Sequence, residues 1–70
     1  MNELFIDKIL DRFEGKRYVV LTIIREELNP PDSFWKAIVD NNFGLGASIL
    51  LNCYPSSYKI DFLCEALWEG

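Results

Sequence analysis

Seventy residues, half of them hydrophobic and 14% aromatic, make one small domain and exclude a disordered chain, which needs low hydrophobicity and high net charge. Histidine is absent, so the side chain best suited to proton transfer near neutral pH is missing and an enzyme is not expected. Seven basic against eleven acidic residues give a net charge of −4, which disfavours a nucleic-acid surface, and the longest apolar run, of four residues, is too short to span a membrane.

Punctuation and periodicity predict an all-α chain with helices near 2–14, 16–28, 33–41, 46–53 and 57–68. Asn2 is placed to cap the first helix, with Glu3 at the positive end of its dipole. Leu4, Phe5, Ile6, Ile9, Leu10 and Phe13 form its apolar face, and Glu3, Asp7, Asp11 and Glu14 an acidic ridge opposite. Gly15 reads as its stop. In the next segment Leu21, Ile24 and Leu28 keep helical spacing, although Tyr18 to Ile24 is rich in β-branched residues. Asn29-Pro30-Pro31 ends that segment, because a residue before proline is pushed out of the α region.

Asp32 or Ser33 is placed to cap the third helix, through Phe34, Trp35, Ala37, Ile38 and Val39. Gly44-Leu45-Gly46 reads as a joint before a short apolar helix, Pro55 as a break, and Ser56 or Ser57 as the cap of the last helix. There Ile60, Leu63, Cys64 and Leu67 make an i, i+3, i+4, i+7 stripe. Leu21, Ile24, Leu63 and Leu67 are the expected centre of the core. The alternative is an α+β fold, with strands near 17–24 and 47–54.

Chemistry-bearing motifs are weak. Ser33-Phe34-Trp35-Lys36 spells S-x-x-K without its companion motifs and reads as a helix start. Gly44-Leu45-Gly46 lacks the third glycine of a dinucleotide turn, a place held by Ile49. Cys53 and Cys64, without histidine, make no zinc site and read as two small buried hydrophobes in a reduced, cytoplasmic protein. No basic stretch leads into an apolar one, so a signal peptide is not expected. No metal or cofactor is expected. Trp68 falls on the ridge with Asp61 and Glu65 rather than on the apolar stripe, so partial exposure is expected of it.

Two stretches carry a family pattern. In LDRFEGKRYVVLTIIREEL, residues 10–28, Leu10, Asp11 and Phe13 close one helix. A turn follows at Glu14 to Lys16, and Leu21, Ile24 and Leu28 then mark a long apolar helix. In SILLNCYPSSYKIDFLCEALWEG, residues 48–70, Ile49 and Leu50 lead to Tyr54, Lys59 follows, and Leu63 and Leu67 mark a final leucine-repeat helix. The chain resembles, in these residues, the effector-associated, death-like adaptor domains of prokaryotic conflict and signalling proteins. It departs from them at Pro30-Pro31 and at Pro55-Ser56-Ser57, where the family commonly has a glycine-basic pair. The resemblance implies a compact five-helix, death-fold-like bundle over residues 1–70, without catalysis. Such a domain recruits an effector by homotypic or heterotypic contacts and is usually joined to a larger chain.

The residues expected at a protein interface are of two kinds. One set is charged: the acidic ridge Glu3, Asp7, Asp11 and Glu14, against the basic Lys16, Arg17 and Arg25, with Lys8 and Arg12 as further candidates — an arrangement suited to head-to-tail homo-oligomers. The other is the aromatic surface of Tyr58, Phe62 and Trp68. The competing function is a small acidic phage-type inhibitor that binds a host protein. A helix-turn-helix DNA binder would need a basic recognition helix, and the third and fifth helices offer only Lys36 and Lys59.

Overall fold

The computed structural model describes residues 2–54 and 57–70. Among them are five helices and no strand: α1 (Glu3–Leu10), α2 (Gly15–Glu27), α3 (Asp32–Val39), α4 (Phe43–Cys53) and α5 (Tyr58–Glu69). The all-α reading holds, and the strand alternative at 17–24 and 47–54 is not adopted. Each helix packs beside two others, in the cyclic order α1, α2, α5, α4, α3 and back to α1. The core fills the ring. Phe34, Leu21, Ile24, Ile38, Leu50 and Leu67 are fully buried there, with Leu63 close behind, so the four residues expected at its centre are core. A radius of gyration of 10.8 Å suits a globule of this length.

The local reasons for each helix are visible. Asn2 caps α1 by accepting from the Phe5 amide at 2.8 Å. That helix ends at Leu10, not at residue 14; two short-range bonds, Arg12 N–H to Ile9 and Phe13 N–H to Leu10, turn the chain out of it. Phe13 thus lies in the connection, edge-on to Phe43 at 5.9 Å between centroids. Gly15 is not a stop but the first residue of α2, at φ +69, a left-handed backbone that glycine adopts without steric cost. The β-branched start of α2 is helical because Val20, Leu21 and Ile24 fall on one buried face, and burial outweighs a weak propensity. Thr22 Oγ1 donates back to the Tyr18 carbonyl at 2.8 Å, serving the hydroxyl within the helix.

The residue preceding α3 is Pro31, whose side chain supplies no cap, rather than Asp32 or Ser33; Asp32 contributes as the acid of the first turn. The end of α3 is a Schellman turn built on Asn41 at φ +58. The Asn41 amide donates to Ile38 at 3.0 Å and the Asn42 amide to Ala37 at 2.8 Å. Asn42 then caps α4, accepting from the Leu45 amide at 3.3 Å, so one residue closes a helix and opens the next.

Gly44 and Gly46 accordingly lie inside α4, not in a joint before it. A Cβ on Gly46 would meet Ile38 Cδ1 at 3.1 Å, and one on Gly44 would meet the Trp68 ring at 2.9 Å. Their lack of a side chain lets α4 approach α3 and α5 closely. Ser57 caps α5 by accepting from the Ile60 amide at 3.3 Å, whereas Pro55 and Ser56 fall outside the described residues. The Asn29 amide donates to the Tyr54 hydroxyl at 3.0 Å, tying the α2–α3 connection to the end of α4. Of the two cysteines expected to be buried, Cys64 is and Cys53 is exposed, because α4 turns residue 53 away from the core.

Candidate interaction surfaces

At 3.6 residues per turn, α1 sorts its charges to two flanks. Glu3 and Asp7 lie toward α2, where Arg25 reaches them: its guanidinium donates to the Asp7 carboxylate and, at 3.2 Å, to the Glu3 carbonyl. Hydrogen bonding to Asp7 pushes the guanidinium pKa still higher, so this charge is permanent. The acidic ridge is also shorter than the sequence suggests. Asp11 is the residue that follows α1, and Glu14 lies beyond it in extended backbone just before α2. Asp7 and Arg25, expected to face a partner with opposite signs, instead face each other.

The basic cluster divides likewise. Lys16 and Arg25 stand nine residues apart, half a turn out of phase, and serve opposite flanks of α2. Lys16 lies 4.0 Å from Glu69 of α5, and Lys59 of α5 pairs with Glu27 at the other end of α2. These two pairs fix α2 and α5 as antiparallel neighbours. Arg17 is half-buried. Its Nε donates to the Leu67 carbonyl at 3.0 Å and its Nη2 to the Trp68 carbonyl at 3.1 Å, while the guanidinium carbon lies 3.6 Å from the centroid of the Phe43 ring. It satisfies carbonyls that a helix leaves open at its C-terminus, at the negative end of the dipole, and so holds α5 in place.

The aromatic residues behave differently. Tyr58, Phe62 and Trp68 are 88%, 60% and 63% exposed, all on the outward side of α5. Trp68 covers Gly44 with one edge of its ring and leaves the remainder in solvent. A shallow hollow bounded by Lys16, Phe62, Glu65, Ala66 and Glu69 adjoins this side where α5 meets α2.

A second surface was not anticipated from the sequence. Phe5, Lys8, Ile9, Arg12 and Val39 line an apolar groove between α1 and α3. Its signal was present in the paired i, i+4 spacings of Phe5 with Ile9 and of Lys8 with Arg12, but Val39 joins them only once α3 lies alongside. Among the described residues no group of three or more potential metal ligands comes together, and no helix is long and apolar enough to cross a membrane. No family model, curated protein or solved structure matches this chain.

Proposed function

We propose that this chain is a non-catalytic protein-interaction domain, an adaptor that recruits an effector, and that the outward side of α5 is its contact surface. The observation that carries the reading is the exposure of Tyr58, Phe62 and Trp68 together on one helix whose other side is core. Large aromatics supply much of the binding energy in protein interfaces, and they do so when desolvated by a partner. The death-like adaptor resemblance is compatible with the five-helix bundle. Two unpaired thiols, one of them at the surface, suit a reducing cytoplasm.

The interface set is reweighted by the charge pairing. Asp7 and Arg25 are committed to each other and Arg17 to the end of α5, so these three hold the fold together before they meet any partner. Reversing Asp7 would disturb the packing of α1 on α2, whereas truncating Phe62 or Tyr58 removes mostly exposed surface. Titration of the purified chain against the products of neighbouring genes should give a complex that Y58A/F62A weakens at least tenfold with an unchanged melting temperature. A complex of equal affinity would overturn the assignment of this surface.

A further inference from the structure

The outward side of α5 has a composition that specifies its partner further. Tyr58, Asp61, Phe62, Glu65, Trp68 and Glu69 occupy about a third of the helix circumference at 3.6 residues per turn. Three are exposed aromatics and three are carboxylates, and the helix contributes no cation to that arc. Its single basic residue, Lys59, is turned to the α2 side, where it pairs with Glu27. Lys16 of α2 is the one neighbouring cation among the described residues that line the hollow beside Phe62 and Glu65, and it lies 4.0 Å from Glu69. Aromatic faces interleaved with carboxylates are complementary to guanidinium and ammonium groups, which stack on the rings while pairing with the acids. A neutral apolar helix would cover the rings but would bury Glu65 without offering it a counter-ion.

We infer that the outward side of α5 binds an arginine-rich segment of a partner protein, whose guanidinium groups stack on Tyr58, Phe62 and Trp68 and pair with Glu65. The inference rests on the proposed role of this surface and adds the chemistry of what it takes. Affinity should be strongest at low ionic strength and fall as salt rises past roughly 0.15 M, where the Debye length is about 8 Å. An equally long lysine peptide should bind more weakly, since an ammonium neither stacks flat nor donates in a fork.

The test uses the full chain and synthetic deca-arginine, deca-lysine and glycine-serine peptides. Binding is followed by amide chemical shifts and by fluorescence; Trp68 is exposed and Trp35 is buried, so the response reports on α5. Shifts are expected along Tyr58 to Glu69 on adding deca-arginine. A roughly tenfold loss is expected for Y58A/F62A, which leaves the net charge unchanged, and a comparable loss for E65K. D11K changes the charge by the same amount just past the end of α1, a helix that does not pack against α5, and should lose far less. Equal losses in D11K and E65K, with none in Y58A/F62A, would show attraction to net charge alone and overturn the proposal. So would peptide-free self-association that both F62A and K8E abolish, because a second copy would then occupy the surface. A gene neighbour that binds through Phe62 while deca-arginine does not bind would sink the cationic partner and leave the adaptor reading standing.

Discussion

The two cysteines show how much a side chain's chemistry depends on the helix that carries it. Cys64 sits in the apolar stripe of α5 and donates weakly to the Ala47 carbonyl at 3.6 Å, and burial, assisted by the nearby charge of Asp61, pushes its thiol pKa up. Cys53 is exposed at the end of α4. Alkylation of the native protein near neutral pH should therefore modify Cys53 alone, with Cys64 reacting only on unfolding; mass spectrometry of the adducts checks this. The raised pKa also has a consequence for stability. The unfolded thiol ionises first, so the contribution of Cys64 is complete below its ordinary range, about 8.5, and declines as pH rises toward the folded value. The fall in stability above that range should be shallower in C64A than in wild type or C53A. In the sequence Cys64 falls on the Ile60–Leu63–Cys64–Leu67 stripe, whereas the apolar run before Cys53 has no clear period, so only the packing of α4 shows that Cys53 is exposed.

Among the elements, α5 is held at its last turn by a residue of α2. Removing Arg17 should loosen that turn first. We expect R17A to lose about 1–3 kcal/mol, from two charge-assisted hydrogen bonds and a cation–π contact, and to speed amide exchange at Leu67 to Gly70. R17K should recover only part of this, because an ammonium cannot span two carbonyls while lying flat on Phe43. Hydrogen exchange with thermal melting decides the matter; unchanged exchange in R17A would show that α5 is secured elsewhere. No sequence pattern announces this contact. Its acceptors are backbone carbonyls about fifty residues away, and carbonyls carry no residue identity. The Asp7–Arg25 pair was hidden for a related reason, since it requires the packing of α1 on α2. By contrast, the outward aromatics of α5 were legible, because Tyr58, Phe62 and Trp68 fall off the Ile60–Leu63–Cys64–Leu67 stripe by simple periodicity. Element type was legible in the same way. Boundaries failed at Gly15, Gly44 and Gly46, where the reading took glycine as an interruption, whereas it serves a left-handed start in one case and close helix packing in the other two.

For the whole molecule, stability rests on the apolar interior of the helix ring, because no polar or charged residue is buried among those described. Leu67 touches the space above Gly46 and is fully buried, so L67A should cost about 2–5 kcal/mol, a large share of what a domain this small possesses. E65A on the exposed side of the same helix should stay within about 0.5 kcal/mol. Denaturant midpoints compare the two, and a smaller shift for L67A would move the core elsewhere. The ring also sets an order of events. Three of its five contacts join consecutive helices and the α1–α3 contact skips one, but α2 meets α5 across two intervening helices, over 32 residues at Glu27–Lys59 and 50 at Arg17–Leu67. Closing a loop of that size costs about 3–4 kcal/mol of chain entropy. Until it closes, Val20, Leu21 and Ile24 of α2 lack the helix that covers them. While α5 is still unmade or undocked, α2 thus carries an exposed apolar face, and the Lys16–Glu69, Arg17–Leu67 and Glu27–Lys59 contacts act late, as the latch that ends this sticky interval.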